Sequence, residues 1–157
     1  MLKPSLVVNA VISTLQTIAP FVAAMNGPQN IKAHSFVNGQ VVPIMTDIYE
    51  MTAPSCLVVY EGTLGGNFDG MTIWKHLLTI YLKAPNQATI QTPLGYEDLV
   101  WMVVNGEVNS TQLNIRQISV IPEVSLMDTP TITRMTDESR TDFFKVECVF
   151  PEIGDSM

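Results

Sequence analysis

Charge is what this sequence has least of. Only 15% of its 157 residues are Asp, Glu, Lys or Arg, against roughly 25% in an ordinary soluble domain. Much of the surface is therefore neutral, the kind of surface that packs against partners. Basic residues are scarcest: eight Lys and Arg face fifteen Asp and Glu, for a net charge of −7 and a pI near 4.6. A protein that grips nucleic acid through its phosphates needs the opposite balance, and specific DNA binding is not expected. Phe68, Trp74 and Tyr81 have only Lys75 and Lys83 nearby, so they form no single-strand platform either.

Cysteine is nearly absent too. Cys56 and Cys148 sit in the apolar runs Cys56-Leu57-Val58-Val59 and Val146-Glu147-Cys148-Val149-Phe150, with no CxxC pair and no Cys/His cluster. They read as small strand hydrophobes; the alternative, a cross-strand disulfide, would need an oxidising compartment or a virion surface. Histidine is limited to His34 and His76, neither with an evident partner in sequence. Each reads as a satisfied or surface residue, since acid-base and nucleophilic chemistry need a titratable pair within reach. Gly-x-Ser-x-Gly, a Walker loop and His-Glu-x-x-His are missing. Asp47 with Glu50, or Asp137 with Glu138, lack the three or more fixed offsets of an oxygen-ligand cation site and read as solvated acids. No catalytic residue, cofactor or metal is expected.

No acid precedes Asp47, so the last 111 residues carry −9. Within the uncharged beginning, Val8, Val11, Ile12, Leu15, Ile18, Ala19 and Val22 recur at helical spacing, which predicts an amphipathic helix within residues 1–26. Asn9, Ser13, Thr14, Gln16 and Thr17 make the run too polar for a secretory or membrane-spanning segment; a cytoplasmic protein is expected. Asn26-Gly27-Pro28 is a helix stop. Asn38-Gly39, between Ser35-Phe36-Val37 and Gln40-Val41-Val42, predicts an exposed hairpin over 33–45. A short turn at Asp47 to Met51 then leads into a buried strand from Cys56 to Gly62.

Gly62-Thr63-Leu64-Gly65-Gly66-Asn67-Phe68-Asp69-Gly70 holds four glycines. Such a run cradles a phosphate only when a helix follows. Here Met71 to Leu82 follows, rich in β-branched and aromatic residues, so the context is a strand and the run reads as a wide, mobile hairpin loop. Thr92-Pro93 and nearby acids begin a helix over 92–106, with Leu94, Leu99, Trp101, Met102 and Val103 as its apolar content. Leu113 to Leu126, Pro130 to Asp137 and Asp142 to Phe150 read as strands. The expected fold is one α+β domain over 1–157: a mixed or antiparallel β-sheet spanning 56–150, with two main helices packed on one face.

The strand Cys56 to Gly62, the glycine run, and Trp74-Lys75-His76-Leu77-Leu78-Thr79-Ile80-Tyr81-Leu82 together resemble the central part of tail terminator and related neck proteins of tailed bacteriophages. Phe143 to Gly154 is similar in style to their final strand. The shared pattern is loose: a strand ending in aromatic-Glu-Gly, a variable loop, then Trp-x-His and an alternating strand. The resemblance implies a structural virion protein without catalytic residues, made in the host cytoplasm and located at the neck, the head-proximal end of the tail. Such subunits form a homo-oligomeric ring, usually of six, that caps the tail tube protein and meets the head-tail connector protein, while DNA passes through the lumen without specific binding. A head-completion or connector adaptor protein is the alternative within that class. A small ligand-binding module with a pocket under the Gly62–Gly70 run is the alternative outside it. Exposed turns would make the contacts, which nominates Asn38, Gly39, Leu64, Gly65, Gly66, Asn67, Phe68 and Asp69 as interface residues.

Overall fold

The computed structural model describes residues 1–34, 36–37, 40–52, 54–68, 70–83, 96–105, 130–136 and 142–153. Along the chain these form α1 (Pro4–Gln16), α2 (Ala19–Ala24), β1 (Ile31–Ala33), β2 (Phe36–Val37), β3 (Gln40–Val41), α3 (Ile44–Glu50), β4 (Ser55–Phe68), β5 (Met71–Lys83), α4 (Tyr96–Asn105), β6 (Thr131–Thr136) and β7 (Asp142–Ile153).

The apolar spacing at the N-terminus does make a helix, with Pro4 in its first turn and Val7, Val8, Ala10, Val11, Thr14 and Leu15 buried. The buried Thr14 hydroxyl is satisfied by donating to the Ala10 carbonyl at 2.8 Å. The expected single helix over 1–26 is instead two. Pro20 has no N–H to donate to the Gln16 carbonyl, and its ring would collide there, so α1 stops at Gln16. Ile18 takes an extended conformation and Pro20 falls in the first turn of α2, where its lack of a donor costs nothing. Asn26 (φ 59°) and Gly27 (φ 122°) then turn the chain as a left-handed cap, and the Gly27 N–H reaches back to the Val22 carbonyl at 3.0 Å.

Five strands form one mixed sheet in the order β1-β4-β5-β7-β6. Only β1 runs parallel to its neighbour, Ile31 facing Cys56; the other pairings are antiparallel. One sheet face buries Cys56, Val58, Leu78, Ile80, Phe144, Val146 and Phe150 against α1, α2 and α4 through residues such as Val11, Leu15, Phe21, Leu99 and Val103. This is the expected α+β arrangement, with both main helices on that face. The turn expected at Asp47 to Met51 is instead the end of α3, with Met51 as its cap. Its Ile48, with Met51 just beyond, packs on Leu57, Val59, Tyr81 and Phe143 on the opposite sheet face, and Lys83 Nζ donates to the Ile48 carbonyl at 3.2 Å. The hairpin around residues 38–39 forms, Phe36 pairing with Val41 and Val37 with Gln40. Residues 38, 39 and 69, the proposed cap at 92–93 and the strand at 113–126 lie outside the described residues.

Both cysteines are buried and free. Strand β5 lies between β4 and β7, which puts the two chains about 10 Å apart, too far for a disulfide's Cα separation of at most about 7 Å. Burial, then the neighbouring Glu147, pushes the Cys148 thiol up to about 12; burial, then Cys148, pushes Cys56 up as well. Since the thiolate is the reactive form, both should stay unmodified by iodoacetamide at about pH 8 in the folded protein and react in guanidinium. Rapid labelling of the folded chain would contradict this burial.

Candidate functional site

The glycine run is not a loop. Strand β4 continues through it to Phe68 and pairs with β5 from Gly62 opposite Leu77 to Phe68 opposite Met71. The expected wide loop shrinks to a tight reversal with Gly70 at φ 77°, because Thr63, Thr72, Ile73 and Trp74 supply enough strand-favouring side chains to keep the ladder going. A glycine inside a strand often marks a close approach, and Gly65 is such a place. It faces Trp74, and a Cβ there would collide with the indole ring. The ring covers the bare backbone. Gly65→Val should therefore displace Trp74 and red-shift its emission; an unchanged spectrum would show that the indole does not rest there.

The ladder carries one irregularity, a register shift at Glu61 between Tyr60 and Gly62, where the ribbon leaves the body of the sheet. A bulge increases local twist and re-aims side chains. Beyond Val58, whose carbonyl accepts the His34 N–H at 3.0 Å, the outer edge of β4 has no strand partner among the described residues. Gly62 to Asn67 along that edge is uncharged, and Leu64 is 58% exposed. Of the nominated interface residues, Leu64, Gly65, Gly66 and Asn67 lie exposed on this ribbon and Phe68 ends its first strand. Beside it is a cavity of about 400 Å³ lined by Leu64, Gly65, Gly66, Asn67, Ile73 and Lys75.

At the root of the ribbon is a polar cluster that sequence reasoning missed. His76 is completely buried, and its Nε2 donates to Glu152 Oε2 at 2.6 Å. An ionised carboxylate only accepts, so Nε2 bears the proton, and in the neutral ring Nδ1 takes the Tyr60 hydroxyl at 2.8 Å. Thr63 hydrogen-bonds that phenol in turn. The Leu2 N–H donates to both Glu152 oxygens at 3.1 and 3.0 Å, and the Met1 ammonium lies 3.7 Å from Oε1. Burial alone would push the Glu152 carboxyl up, but the Leu2 N–H, the His76 ring and the ammonium outweigh it and hold it below the usual carboxylate range. The cluster joins β4, β5, β7 and the start of the chain.

His34 has a partner as well. Its Nδ1 is 2.8 Å from Asp47 Oδ2, so Asp47, considered with Glu50 as a cation ligand, is turned to an imidazole instead. These pairings join residues 13 and 76 positions apart, and no local pattern marks either one: Glu152 comes beside His76 only once the register sets it opposite Trp74. Chemically, carboxylate, imidazole and phenol in line form a saturated hydrogen-bond chain. Neither the ribbon-side cavity nor a second one of about 480 Å³ on the sheet face is lined by Tyr60, His76 or Glu152. The arrangement fixes the root of the ribbon.

No protein-family model matches this chain, and no curated protein matches it.

Proposed function

We propose that this protein is a structural virion protein of a tailed bacteriophage, a tail terminator or neck subunit whose ring caps the tail tube and joins it to the head connector. The observation that carries this reading is the β4–β5 ribbon: a two-stranded extension with an open, uncharged, glycine-rich edge, rooted in a buried polar cluster. Solitary proteins blunt such edges with charge, proline or a covering element. An edge left neutral fits a subunit whose main chain is to be completed by assembly. The low overall charge supports the same reading, because interface cores are depleted in charge. So does the acidity: six copies at −7 carry −42, and such a lumen would repel passing DNA over about 8 Å in physiological salt.

No catalytic role is proposed. The ligand-binding alternative would use the ribbon-side cavity, which among the described residues presents only the Asn67 amide and the Lys75 ammonium as polar side chains, few for a specific small-molecule site. A head-completion adaptor differs only in partner and ring order. Native mass spectrometry and negative-stain imaging of the protein, alone and with purified tail tubes, test the proposal. A ring, free or seated on tube ends, is expected. A persistent monomer that ignores the tubes would overturn it.

A further inference from the structure

We infer that the sheet face opposite α1, α2 and α4 carries a self-complementary patch through which two copies of this chain pair about a two-fold axis. Helix α3 covers only one end of that face, over Leu57, Val59, Tyr81 and Phe143. Farther along, Lys75, Leu77 and Thr79 of β5 stand beside their register partners Pro151, Val149 and Glu147 of β7. Strand alternation puts all six on the side away from the three-helix layer. Leu77 and Val149 are half-buried, and with Thr79, Glu61 and Glu147 they line the cavity of about 480 Å³. No described helix or strand packs over this part of the sheet.

The charges at its two ends say what fits. Lys75 is exposed and has no ion-pair partner among the described residues. Glu147 has 48% of its side chain exposed, and its one ion pair among the described residues is with Lys145, at 3.4 Å on its own strand. Lys75 and Glu147 are one strand apart and four register positions apart, about 14 Å from rise and strand spacing. The midpoint of that line falls between Leu77 and Val149. A two-fold axis through it sets these two apolar residues against their own copies and places each Lys75 opposite the other copy's Glu147. One rotation matches both the apolar centre and the charged ends, which an unrelated partner would have to meet by coincidence. Face-to-face sheets at about 10 Å give room for the contact.

The patch is small beside the roughly 800 Å² per partner of a standard interface, so the pairing is weak and reversible. It is independent of the ring reading: an isologous contact joins two copies and stops, whereas a ring needs heterologous contacts. Sedimentation velocity across a concentration series, at physiological salt so that net repulsion is screened, tests it. The expected result is a monomer–dimer equilibrium, weakened at least tenfold by Lys75→Glu and restored to within about threefold by Lys75→Glu with Glu147→Lys. Both positions are exposed, so the variants fold. A monomer up to about 1 mM, or a double reversal as weak as the single, would overturn the pairing. So would a Leu77→Cys variant inert to maleimide as a monomer, because the face would then be covered by the same chain.

Discussion

Glu152→Ala is expected to lower stability by about 2–4 kcal/mol at neutral pH, the cost of leaving two donors without their acceptor at a buried site. The loss is large because it is shared. Without the carboxylate, the Leu2 N–H and the His76 Nε2–H lose their acceptor, and a buried donor left unsatisfied costs about 1–3 kcal/mol. For a chain of this length, about 3 kcal/mol corresponds to a fall in Tm of roughly 6–12 °C. His76→Ala should cost a similar amount, and the double variant less than the two together, since both remove the same contact. Chemical denaturation of the four proteins measures this. A penalty under about 1 kcal/mol, or strict additivity, would show that the cluster does not hold the ribbon's root.

The same residue sets a pH signature. The folded Glu152 carboxyl lies below its unfolded value, so its contribution is fully present above the ordinary glutamate pKa of about 4.3. It is lost as pH falls through the folded value. The stability gap between the natural protein and Glu152→Gln should therefore be constant near neutrality and close in acid. A gap that widens on acidification would contradict the assignment of an ionised carboxylate.

The second large effect concerns assembly. Replacing Gly65–Trp74 by Asn-Gly, which suits a two-residue hairpin, keeps Tyr60, Thr63, His76 and the body of the sheet but removes the ribbon's tip. The shortened chain, like the intact one, is expected to unfold cooperatively, but it should no longer form rings or cap tail tubes. Circular dichroism with heat reports the first outcome and negative-stain imaging the second. A shortened chain that still caps tubes would exclude the ribbon as the contact, and one that fails to fold would show that the ribbon is part of the core.

Some of this was legible in the one-dimensional pattern. Strands β4, β5 and β7 announce themselves by β-branched alternation, α1 by apolar residues at helical spacing, and the β2–β3 hairpin by Asn38-Gly39. Pro20 is equally local, and it does split the predicted helix once its missing donor is taken into account. Helix α3 was obscured because Ile44, Ile48 and Met51 are too few to stand out beside a proline and a short polar stretch. The glycine run misled for a related reason. Glycine lowers strand propensity residue by residue, but opposite Gly65 stands Trp74, and the cross-strand partner supplies the packing that glycine lacks.

Sequence by itself determined the scarcity of charge, the acidic balance and the α+β class, because those follow from composition and from periods of two and 3.6 residues; that Cys56 and Cys148 stay apart was settled by strand order. Tertiary structure alone decided that His76 meets Glu152 and Tyr60, that Asp47 meets His34, and that Lys75, Leu77, Val149 and Glu147 share one sheet face. Such pairings depend on strand order and register, which bring residues far apart in the chain within a few ångströms, and no local pattern records which strand lies beside which.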